Sequence, residues 1–347
     1  MSGGVDSSVA AALLVEQGYQ VIGLMLRLWS ESGRSEENRC CTPDSMALAR
    51  RVAAQLKIPF YAVDAQQLFR AAVVQYFIDG YARGITPNPC LACNRLVRWG
   101  FLLGRAIDLG AQSMATGHYA RLTVDENGKL SLLKGVDPKK DQSYILYFLG
   151  QSDLQKTLFP LGGYSKPQVR EIAKKMNLPV AEKPDSQDLC FLGADNYRAF
   201  LLRHVPNVEK PGPIYTADGE SLGEHRGLAF YTIGQRKGLG IASPDPHYVI
   251  AKDTLHNTLL VGNADRLGST TLIASNVNWI IGEPPIASFR SQVKIRYKAQ
   301  AVWAHVIPKG KDRVQVQFEQ PVRDITPGQA VVFYNAEECL GGGIIQD

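Results

Sequence analysis

The chain opens with residues suited to holding phosphate, the stretch SGGVDS at positions 2–7. Its two glycines leave no side chain between the backbone and a ligand, and glycine adopts positive φ at no steric cost. Asp6 and Ser7 are helix-capping residue types, and the apolar pattern after them predicts a helix that ends near Gly18. Unpaired amides at such a helix start favour phosphate binding. No lysine follows the glycines, so this is not the Gly-Lys-Ser/Thr phosphate loop. Taken alone, a glycine-rich turn that caps a helix is the simpler interpretation.

Two of the six cysteines stand in contexts typical of reactive thiols. Cys93 lies in TPNPCLACN, where two X-Pro steps disfavour helix until a helical pattern begins near Asn94. A thiol at a helix start tends to have a lowered pKa. Cys190 lies in the polar, proline-marked stretch PDSQDLCFLG. For either thiol alone a structural role is a fair interpretation, but together with the glycine loop the two cysteines favour a function.

The elements that must position these residues alternate along the first part of the chain. YQVIGLMLRLW, IPFYAVDA and SMATGHYA are typical of strands, and DSMALARRVAAQL and NRLVRWGFLLGRAIDLG are typical of helices. VDENGKLSLLKG predicts a hairpin, and DQSYILYFLG and SKPQVREIAKKMNL predict further helices. This alternation predicts a parallel sheet with helices on both faces, and such sheets bind ligands at the carboxyl ends of their strands.

The character of the sequence changes after Gly212, where glycine and proline separate short alternating strands. QVKIRYKAQAVWAHVI, RVQVQFEQ and QAVVFYN predict an all-β module, most simply a small barrel. Residues 290–323 hold eight basic and two acidic side chains, a surplus of +6 against +5 for the whole chain. Such a patch attracts polyanions, although a solvated basic surface is the more common case.

Length and composition limit the class of protein. A chain of 347 residues has room for two or three domains, and 45% apolar with 20% charged residues is ordinary for a globular protein. No apolar run approaches the length of a membrane span and no signal-peptide pattern is present, so we expect a cytoplasmic protein without a membrane partner. Six cysteines in a chain this long do not form a secreted disulfide scaffold.

Eight stretches resemble the tRNA-specific 2-thiouridylases (the MnmA family), which belong to the ATP-pyrophosphatase or PP-loop superfamily. In order from residue 2 to about 334 they are SGGVDSS, TPNPCLACN, ATGHYARL, KDQSYILYFL, KPDSQDLCFLG, YTIGQRKGLG, VKIRYK and TPGQAVVFY. The resemblance therefore covers nearly the whole chain. The strand that usually precedes the SGGxDS loop is not in the sequence, which favours a start codon upstream of Met1 over a sheet with one strand fewer.

The resemblance implies an α/β plus β fold class. We expect a Rossmann-like (adenine nucleotide alpha hydrolase-like) parallel-sheet domain, a small central domain and a C-terminal β-barrel that binds tRNA, in a monomer. The predicted boundaries are 1–197 for the catalytic domain, with a helical insertion around 158–178, then 198–252 for the central domain and 253–347 for the barrel.

The resemblance also implies a reaction, ATP- and Mg²⁺-dependent 2-thiolation of the wobble uridine of tRNA. ATP adenylates the C2 oxygen of the base, and sulfur from a cysteine persulfide displaces AMP. By position, Cys190 would hold the persulfide and Cys93 would be its partner nucleophile. Either the outer sulfur attacks C2, or Cys93 attacks the inner sulfur, frees sulfide and leaves a Cys93–Cys190 disulfide. We expect the base to be everted from the anticodon loop, because it must enter a pocket beside ATP.

Other site residues follow from the family by position. The ATP-binding set is Ser2, Gly3, Gly4, Val5, Asp6, Ser7, Leu26 and Gly117, and the target-base region is Asn88, Pro89 and Cys90. The tRNA-binding set is His118, Lys140, Asp141, Gln142, Arg296, Tyr297 and Gln329. Structural or surface roles explain His118, Lys140 and Tyr297 equally well from the residues alone. The family's partners are the tRNAs for Lys, Glu and Gln, and a cysteine desulfurase or sulfur-relay protein.

Cys90 departs from the family, in which many members carry aspartate at this position. A thiol does not reproduce a permanently charged carboxylate, so a general-base role there is in doubt. Cys90, Cys93 and Cys190 together make three soft ligands for a [4Fe–4S] cluster with one open iron, or for zinc, although structural zinc normally takes four ligands. The adjacent Cys40 and Cys41 are poorly placed to hold one ion.

Two other classes of function stay open. Another ATP-pyrophosphatase could use ammonia or an amine to displace AMP, but no glutaminase region is visible and the cysteines would be unexplained. A non-catalytic RNA-binding or iron–sulfur protein would have a disabled nucleotide loop. Activity of a Cys190→Ser variant would indicate the first class, and failure to bind ATP would indicate the second.

Overall fold

A computed structural model describes residues 1–31, 33, 42–185, 189–193, 195–241, 243 and 245–346. Cys40 and Cys41, the adjacent pair considered above, lie outside these residues. Within the described ranges no helix is long and apolar enough to cross a membrane.

The helices and strands are named in chain order. The helices are α1 (Val5–Glu16), α2 (Pro43–Gln55), α3 (Gln66–Phe69), α4 (Tyr76–Ala82), α5 (Pro89–Ala92), α6 (Leu103–Asp108), α7 (Gln151–Leu154), α8 (Lys166–Lys175) and α9 (Tyr197–His204). The π-helical segments Arg70–Gln75 and Cys93–Leu102 join α3 to α4 and α5 to α6. The strands are β1 (Gly23–Arg27), β2 (Phe60–Asp64), β3 (Met114–Ala115), β4 (Ala120–Val124), β5 (Leu130–Lys134), β6 (Thr157–Leu158), β7 (Gly212–Thr216), β8 (Ser221–His225), β9 (Tyr248–Asp253), β10 (Thr258–Gly262), β11 (Ser269–Trp279), β12 (Phe289–Lys294), β13 (Val302–Pro308), β14 (Arg313–Val322), β15 (Ala330–Asn335) and β16 (Glu338–Ile345).

The N-terminal part contains the predicted parallel strands and helices. β1 pairs with β2 and β3 pairs with β6, both in parallel. The helix starts follow from their caps. Gly4 has an extended conformation before α1, the Asn88 side chain accepts from the Leu91 amide at α5, and Ser165 forms a capping box with Gln168 at α8. The predicted alternation of strands and helices is therefore confirmed.

The stretch DQSYILYFLG differs from the predicted helix, because only Ser143–Ile145 form a short 3₁₀ turn. The polar groups of this stretch form hydrogen bonds other than those of a helix. The Asp141 carboxylate accepts from the Gly135 and Ser143 amides, and the Tyr144 hydroxyl donates to the Ala330 carbonyl of β15. Tertiary contacts with the barrel thus replace the local helix.

Two sheets form the remainder of the structure. Residues 212–262 contain a four-stranded sheet of order β8-β7-β10-β9. The C-terminal strands have the order β11-β14-β13-β12-β15-β16, and a β11–β16 pairing closes them into a six-stranded barrel. The predicted hairpin β4–β5 is present and pairs with the barrel through β5 and β16. The barrel and the predicted fold class are confirmed, and the domain boundaries stay a prediction.

Candidate active site

The glycine loop joins the chain start to α1 and is packed against the start of α2. Gly3 has φ +67°, and a Cβ built there would lie 2.2 Å from the Ser45 carbonyl oxygen, so no other residue fits without movement. The Ser2 amide donates to Ser7 Oγ at 3.0 Å, and the Ser8 hydroxyl donates to the Gly4 carbonyl at 2.9 Å. The loop therefore has one well-determined shape at a helix N-terminus, which favours anion binding.

Gly117, which follows β3, lies against the first turn of α1. A Cβ at this position would come within 2.9 Å of the Asp6 carbonyl carbon and the Ser7 amide nitrogen. The Asp6 carboxylate accepts from the Tyr119 hydroxyl at 2.8 Å and from Lys166 Nζ at 2.7 Å. Two predicted ATP-binding segments are thus in direct contact.

An ionic cluster adjoins the loop. Asp185 receives Lys140 Nζ at 2.6 Å, Lys166 Nζ at 2.9 Å and Arg170 Nη2 at 2.8 Å. Burial alone would raise the pKa of Asp185, but hydrogen bonds from Lys140 and Lys166 outweigh it and lower the pKa to about 2. Lys183 Nζ donates to the Gly3 carbonyl at 3.0 Å, beside this cluster. The four cations Lys140, Lys166, Arg170 and Lys183 outnumber the three carboxylates of Asp6, Asp137 and Asp185 by one. This surplus of positive charge suits a polyphosphate.

The two predicted reactive cysteines pack against one hydrophobic cluster. Cys93 begins the π-helical segment after α5, and Cys190 lies in a turn before α9. Both are half-buried against a cluster that includes Phe191. Leu189 and Leu192, on either side of Cys190, line the same cavity as Cys93. Chain segments far apart in sequence therefore bring both thiols to one region.

The target-base segment lies where the N-terminal part meets the barrel. Asn88 caps α5, Pro89 is buried at its first position, and Cys90 is exposed. Just before this segment, Gln329 Nε2 donates to the Thr86 carbonyl at 2.7 Å. The predicted tRNA contact Gln329 thus holds the backbone two residues ahead of Asn88.

The residues Lys140, Asp141 and Gln142 have different surroundings. Lys140 is half-exposed and paired with Asp185. Asp141 is 8% exposed, and its carboxylate accepts backbone amides. Gln142 Oε1 accepts from the Tyr119 amide at 3.0 Å. Lys140 and Gln142 line the cavity, whereas Asp141 shapes the turn that presents them.

His118 is buried and neutral. Its Nδ1 lies 2.9 Å from Thr116 Oγ1, and its ring contacts Trp99 and Phe159. Burial, and to a smaller extent the charge of Arg98, lowers the pKa of His118 to about 3. The ring is therefore uncharged near neutral pH.

The barrel contributes a turn between β12 and β13. Arg296 Nη2 donates to the Ile233 carbonyl at 3.0 Å and also bonds Thr326 Oγ1. Tyr297 lines the cavity, and burial, with smaller contributions from Asp141 and Cys90, raises its pKa to about 12. Arg296 thus holds the turn, and Tyr297 faces the site.

One continuous cavity of about 2210 Å³ connects these parts. The predicted site residues that line it are Ser2, Gly4, Val5, Asp6, Ser7, Leu26, Asn88, Cys90, Cys93, Gly117, His118, Lys140, Gln142 and Tyr297. Six other predicted site residues lie outside this lining: Gly3, Pro89, Asp141, Cys190, Arg296 and Gln329. The sequence analysis missed the lining residues Arg98, Tyr119, Lys183 and Asp185; the last two lie in the quoted KPDSQDLCFLG.

The donors for a nucleotide and for a metal centre differ. The helix start and the cations beside it fit the phosphates of ATP. Among the residues that the structure describes, no three His, Cys, Asp or Glu side chains are grouped as a metal site. A [4Fe–4S] cluster held by Cys90, Cys93 and Cys190 stays a prediction.

Comparisons with known proteins give the family. Family models match over three regions: tRNA methyl transferase HUP domain at residues 1–194, tRNA methyl transferase PRC-barrel domain at 198–263 and Aminomethyltransferase beta-barrel domain at 269–345. The tRNA-specific 2-thiouridylase MnmA of Carboxydothermus hydrogenoformans is 48% identical, covering 100% of this chain and 96% of its own. That of Roseiflexus castenholzii is 48% identical, covering 99% and 97%. The chain belongs to the MnmA family.

This membership confirms the resemblance found in the sequence, and the three MnmA family regions agree with the predicted fold class. A solved structure of NMN synthetase from Francisella tularensis aligns over 54% of this chain and 64% of its own at 23% identity. Its TM-score of 0.34 is too low to support an inference.

Proposed function

We propose that the protein is a tRNA-uridine 2-sulfurtransferase that converts the wobble uridine of tRNA to 2-thiouridine, with release of AMP and pyrophosphate. The supporting observation is the single cavity whose lining runs from the glycine loop past Cys90 and Cys93 to Lys140 and Tyr297. Ordinary ligand sites occupy roughly 300–1,000 Å³. The cavity of about 2210 Å³ exceeds this, and its lining also runs along residues 19–23, 57–59 and 109–113, away from the predicted site residues.

The nucleotide end would activate the base. The amides at the start of α1 and the adjoining cations hold the ATP phosphates, and Leu26 lies against the adenine. Asp6 is the carboxylate of the loop that would hold Mg²⁺, which would neutralise phosphate charge there; in this structure Lys166 Nζ bonds both of its oxygens. The uridine C2 oxygen attacks the α-phosphorus, the bond to the bridging oxygen breaks, and pyrophosphate leaves. The Lys183 ammonium beside Gly3 neutralises part of the charge that develops.

The cysteine end would deliver sulfur. In one route the outer sulfur of the Cys190 persulfide attacks C2 and AMP leaves with the former C2 oxygen. The Cys93 thiolate then attacks the Cys190 sulfur, releasing the thiocarbonyl. In the other route Cys93 attacks first and the freed sulfide attacks C2. Both routes reduce one sulfur by two electrons and oxidise the two thiols to a disulfide, which an external thiol must reduce before the next turnover.

The finer assignments also belong to this proposal. The substrates are the tRNAs for Lys, Glu and Gln, contacted through the predicted tRNA-binding set around Lys140, Gln142 and Tyr297. A cytoplasmic cysteine desulfurase or relay protein loads Cys190. A [4Fe–4S] cluster on Cys90, Cys93 and Cys190 is the alternative cofactor, and anaerobic purification followed by iron and acid-labile sulfide analysis of wild type and Cys90→Ser tests it. Activity that rises with iron content and is lost in Cys90→Ser would support the cluster, and a metal-free but active enzyme would exclude it.

The deciding experiment measures 2-thiouridine by nucleoside mass spectrometry after incubation with ATP, Mg²⁺, unmodified tRNA and a persulfide donor. Cys190→Ser should abolish the product and leave ATP affinity unchanged, because the substituted side chain cannot carry sulfane sulfur. Cys339→Ala is the matched control, since this buried thiol lies in β16 and is not part of the cavity lining. Full 2-thiouridine formation by Cys190→Ser would show that Cys190 does not carry the sulfur. Pyrophosphate release without 2-thiouridine in wild type would point to an amine-using ligase, and absence of ATP binding in wild type would point to a non-catalytic protein.

A further inference from the structure

The segment 183–185, shortly before Cys190, is held at both its ends. Lys183 Nζ donates to the Gly3 carbonyl at 3.0 Å and to Ser45 Oγ at 3.1 Å. At the other end, Asp185 pairs with three cations, two of which are on α8. Lys183 thereby ties the segment to the glycine loop, and Asp185 ties it to α8.

Lys166 connects the two carboxylates of this region. Its ammonium contacts Asp6 Oδ1 at 2.7 Å and Asp185 Oδ1 at 2.9 Å, and its side chain is only 10% exposed. A shielded pair of this kind is strongly destabilising to break, unlike an exposed one. The chain Asp6–Lys166–Asp185 therefore links the first turn of α1 rigidly to the segment before Cys190.

Arg170 adds backbone contacts on the same segment. Its Nη1 donates to the Ala181 carbonyl at 3.0 Å and to the Lys183 carbonyl at 3.1 Å, while Nη2 pairs with Asp185. The guanidinium thus fixes both the backbone and the carboxylate, a geometry that lysine would not reproduce.

The other side of Cys190 is held by packing. The Phe191 ring contacts the rings of Phe69, Phe77 and Phe200 at centroid distances of 6.1, 5.2 and 5.4 Å. Cys190 follows Asp185 by five positions, so an extended chain would allow at most about 18 Å between them. An aromatic anchor therefore lies next to the thiol on one side, and the ionic anchor lies within about 18 Å of chain on the other.

We propose that Asp185 is a positioning residue that holds the Cys190 segment against the nucleotide loop, so that sulfur is delivered where the base has been adenylated. This inference rests on the proposed function. It predicts that loss of the Asp185 charge affects the two half-reactions unequally. Adenylation is weakened less, because Lys166 still pairs with Asp6, while sulfur transfer is weakened more because Cys190 is misplaced.

The test compares Asp185→Asn with Glu182→Gln in single-turnover reactions with tRNA and persulfide-loaded enzyme. Glu182 pairs with Lys174 at an exposed site on the same stretch, so its variant is a matched control. In Asp185→Asn we expect 2-thiouridine formation to be reduced about 100-fold, as a misplacement of about 1 Å can produce, and pyrophosphate release to be reduced by a much smaller factor. Glu182→Gln should match wild type in both measurements, and Asp185→Glu should recover most of the sulfur transfer.

A second readout does not depend on turnover. Iodoacetamide labelling of Cys190, followed by peptide mass spectrometry, should proceed at a changed rate in Asp185→Asn and in Arg170→Met but not in Glu182→Gln. Thermal unfolding reports whether Asp185→Asn is well folded. If it folds poorly, Arg170→Met takes its place in this test. An unchanged labelling rate, or equal losses in pyrophosphate release and 2-thiouridine, would overturn the inference. Absence of 2-thiouridine in wild type would instead refute the proposed function and leave the labelling test valid.

Discussion

The nucleotide end and the cysteine end of the cavity are built differently. At the nucleotide end, main-chain segments pack directly against one another. Cβ atoms added at Gly3 and Gly117 would lie 2.2 and 2.9 Å from main-chain atoms of other segments. At the cysteine end Cys90 is exposed, Cys93 is half-buried, and Tyr297 comes from a turn of the barrel. One end is a single close-packed unit, and the other is assembled from several domains.

This difference follows from what each end must accommodate. ATP always presents the same phosphates, so a fixed arrangement of amides and cations can be optimal for it. In the proposed reaction the thiols meet in turn a sulfur donor, an RNA base and each other. A rigid, closed site could not admit such different partners, so the cysteine end remains open and relies on anchors at a distance.

The largest expected effect comes from Gly3→Ala, which tests the close packing of the nucleotide end. The methyl group meets the Ser45 carbonyl at a position that also requires φ +67°, so α2 must shift and the loop amides lose their alignment. We expect ATP affinity to fall by at least about 100-fold, since strain alone costs roughly 1–2 kcal/mol and the clash adds to it. Isothermal titration with ATP measures this.

Gly128→Ala is the matched control for the effect of positive φ alone. Gly128 lies outside the cavity lining, has φ +77° and has no atom within 4 Å of a Cβ built on it, so this variant should lose stability but bind ATP normally. Equal ATP affinities for the two variants would show that the contact between Gly3 and Ser45 does not shape the loop.

The next largest effect is expected at Tyr297, the aromatic side chain that the barrel contributes to the cysteine end. Tyr297→Ala should raise the Kd for tRNA about 10- to 100-fold and leave ATP affinity unchanged, because stacking on one base is worth about 1–3 kcal/mol. Trp303→Ala is the control: Trp303 is a 42% exposed barrel aromatic outside the cavity lining. Filter binding at fixed salt compares the variants. A larger loss for Trp303→Ala would place the tRNA on the outer face of the barrel.

Sequence reasoning was most successful where function depends on local residues. The loop, the alternation of strands and helices and the barrel all follow from short patterns in the sequence. The helix predicted to begin near Asn94 instead begins at Pro89, with Asn88 as its cap, so Cys93 lies inside a helix and not at its start. The ionic cluster around Asp185 was not predicted, because its cations come from separate segments that only the tertiary fold brings together. The failed helix at DQSYILYFLG has the same cause, since contacts with β15 override a local preference.

The smallest expected effect lies at His118, which borders both ends of the cavity. Its pKa is lowered from 6.5 to about 3 by burial first and by Arg98 second, so the unfolded chain binds its proton more readily than the folded one. The contribution of His118 to the free energy of unfolding should therefore be complete above pH 6.5 and decline as the pH falls, by about 1.4 kcal/mol at a pH one unit below the pKa of the unfolded chain.

Urea unfolding of wild type and His118→Asn at about pH 8 and pH 5.5 isolates this contribution, because other groups titrate in both proteins. Wild type should lose about 1.4 kcal/mol more than the variant between the two pH values. Equal losses of unfolding free energy in the two proteins would mean that His118 keeps its ordinary pKa. In that case solvent from the cysteine end reaches the ring, and the close packing of the nucleotide end does not extend to His118.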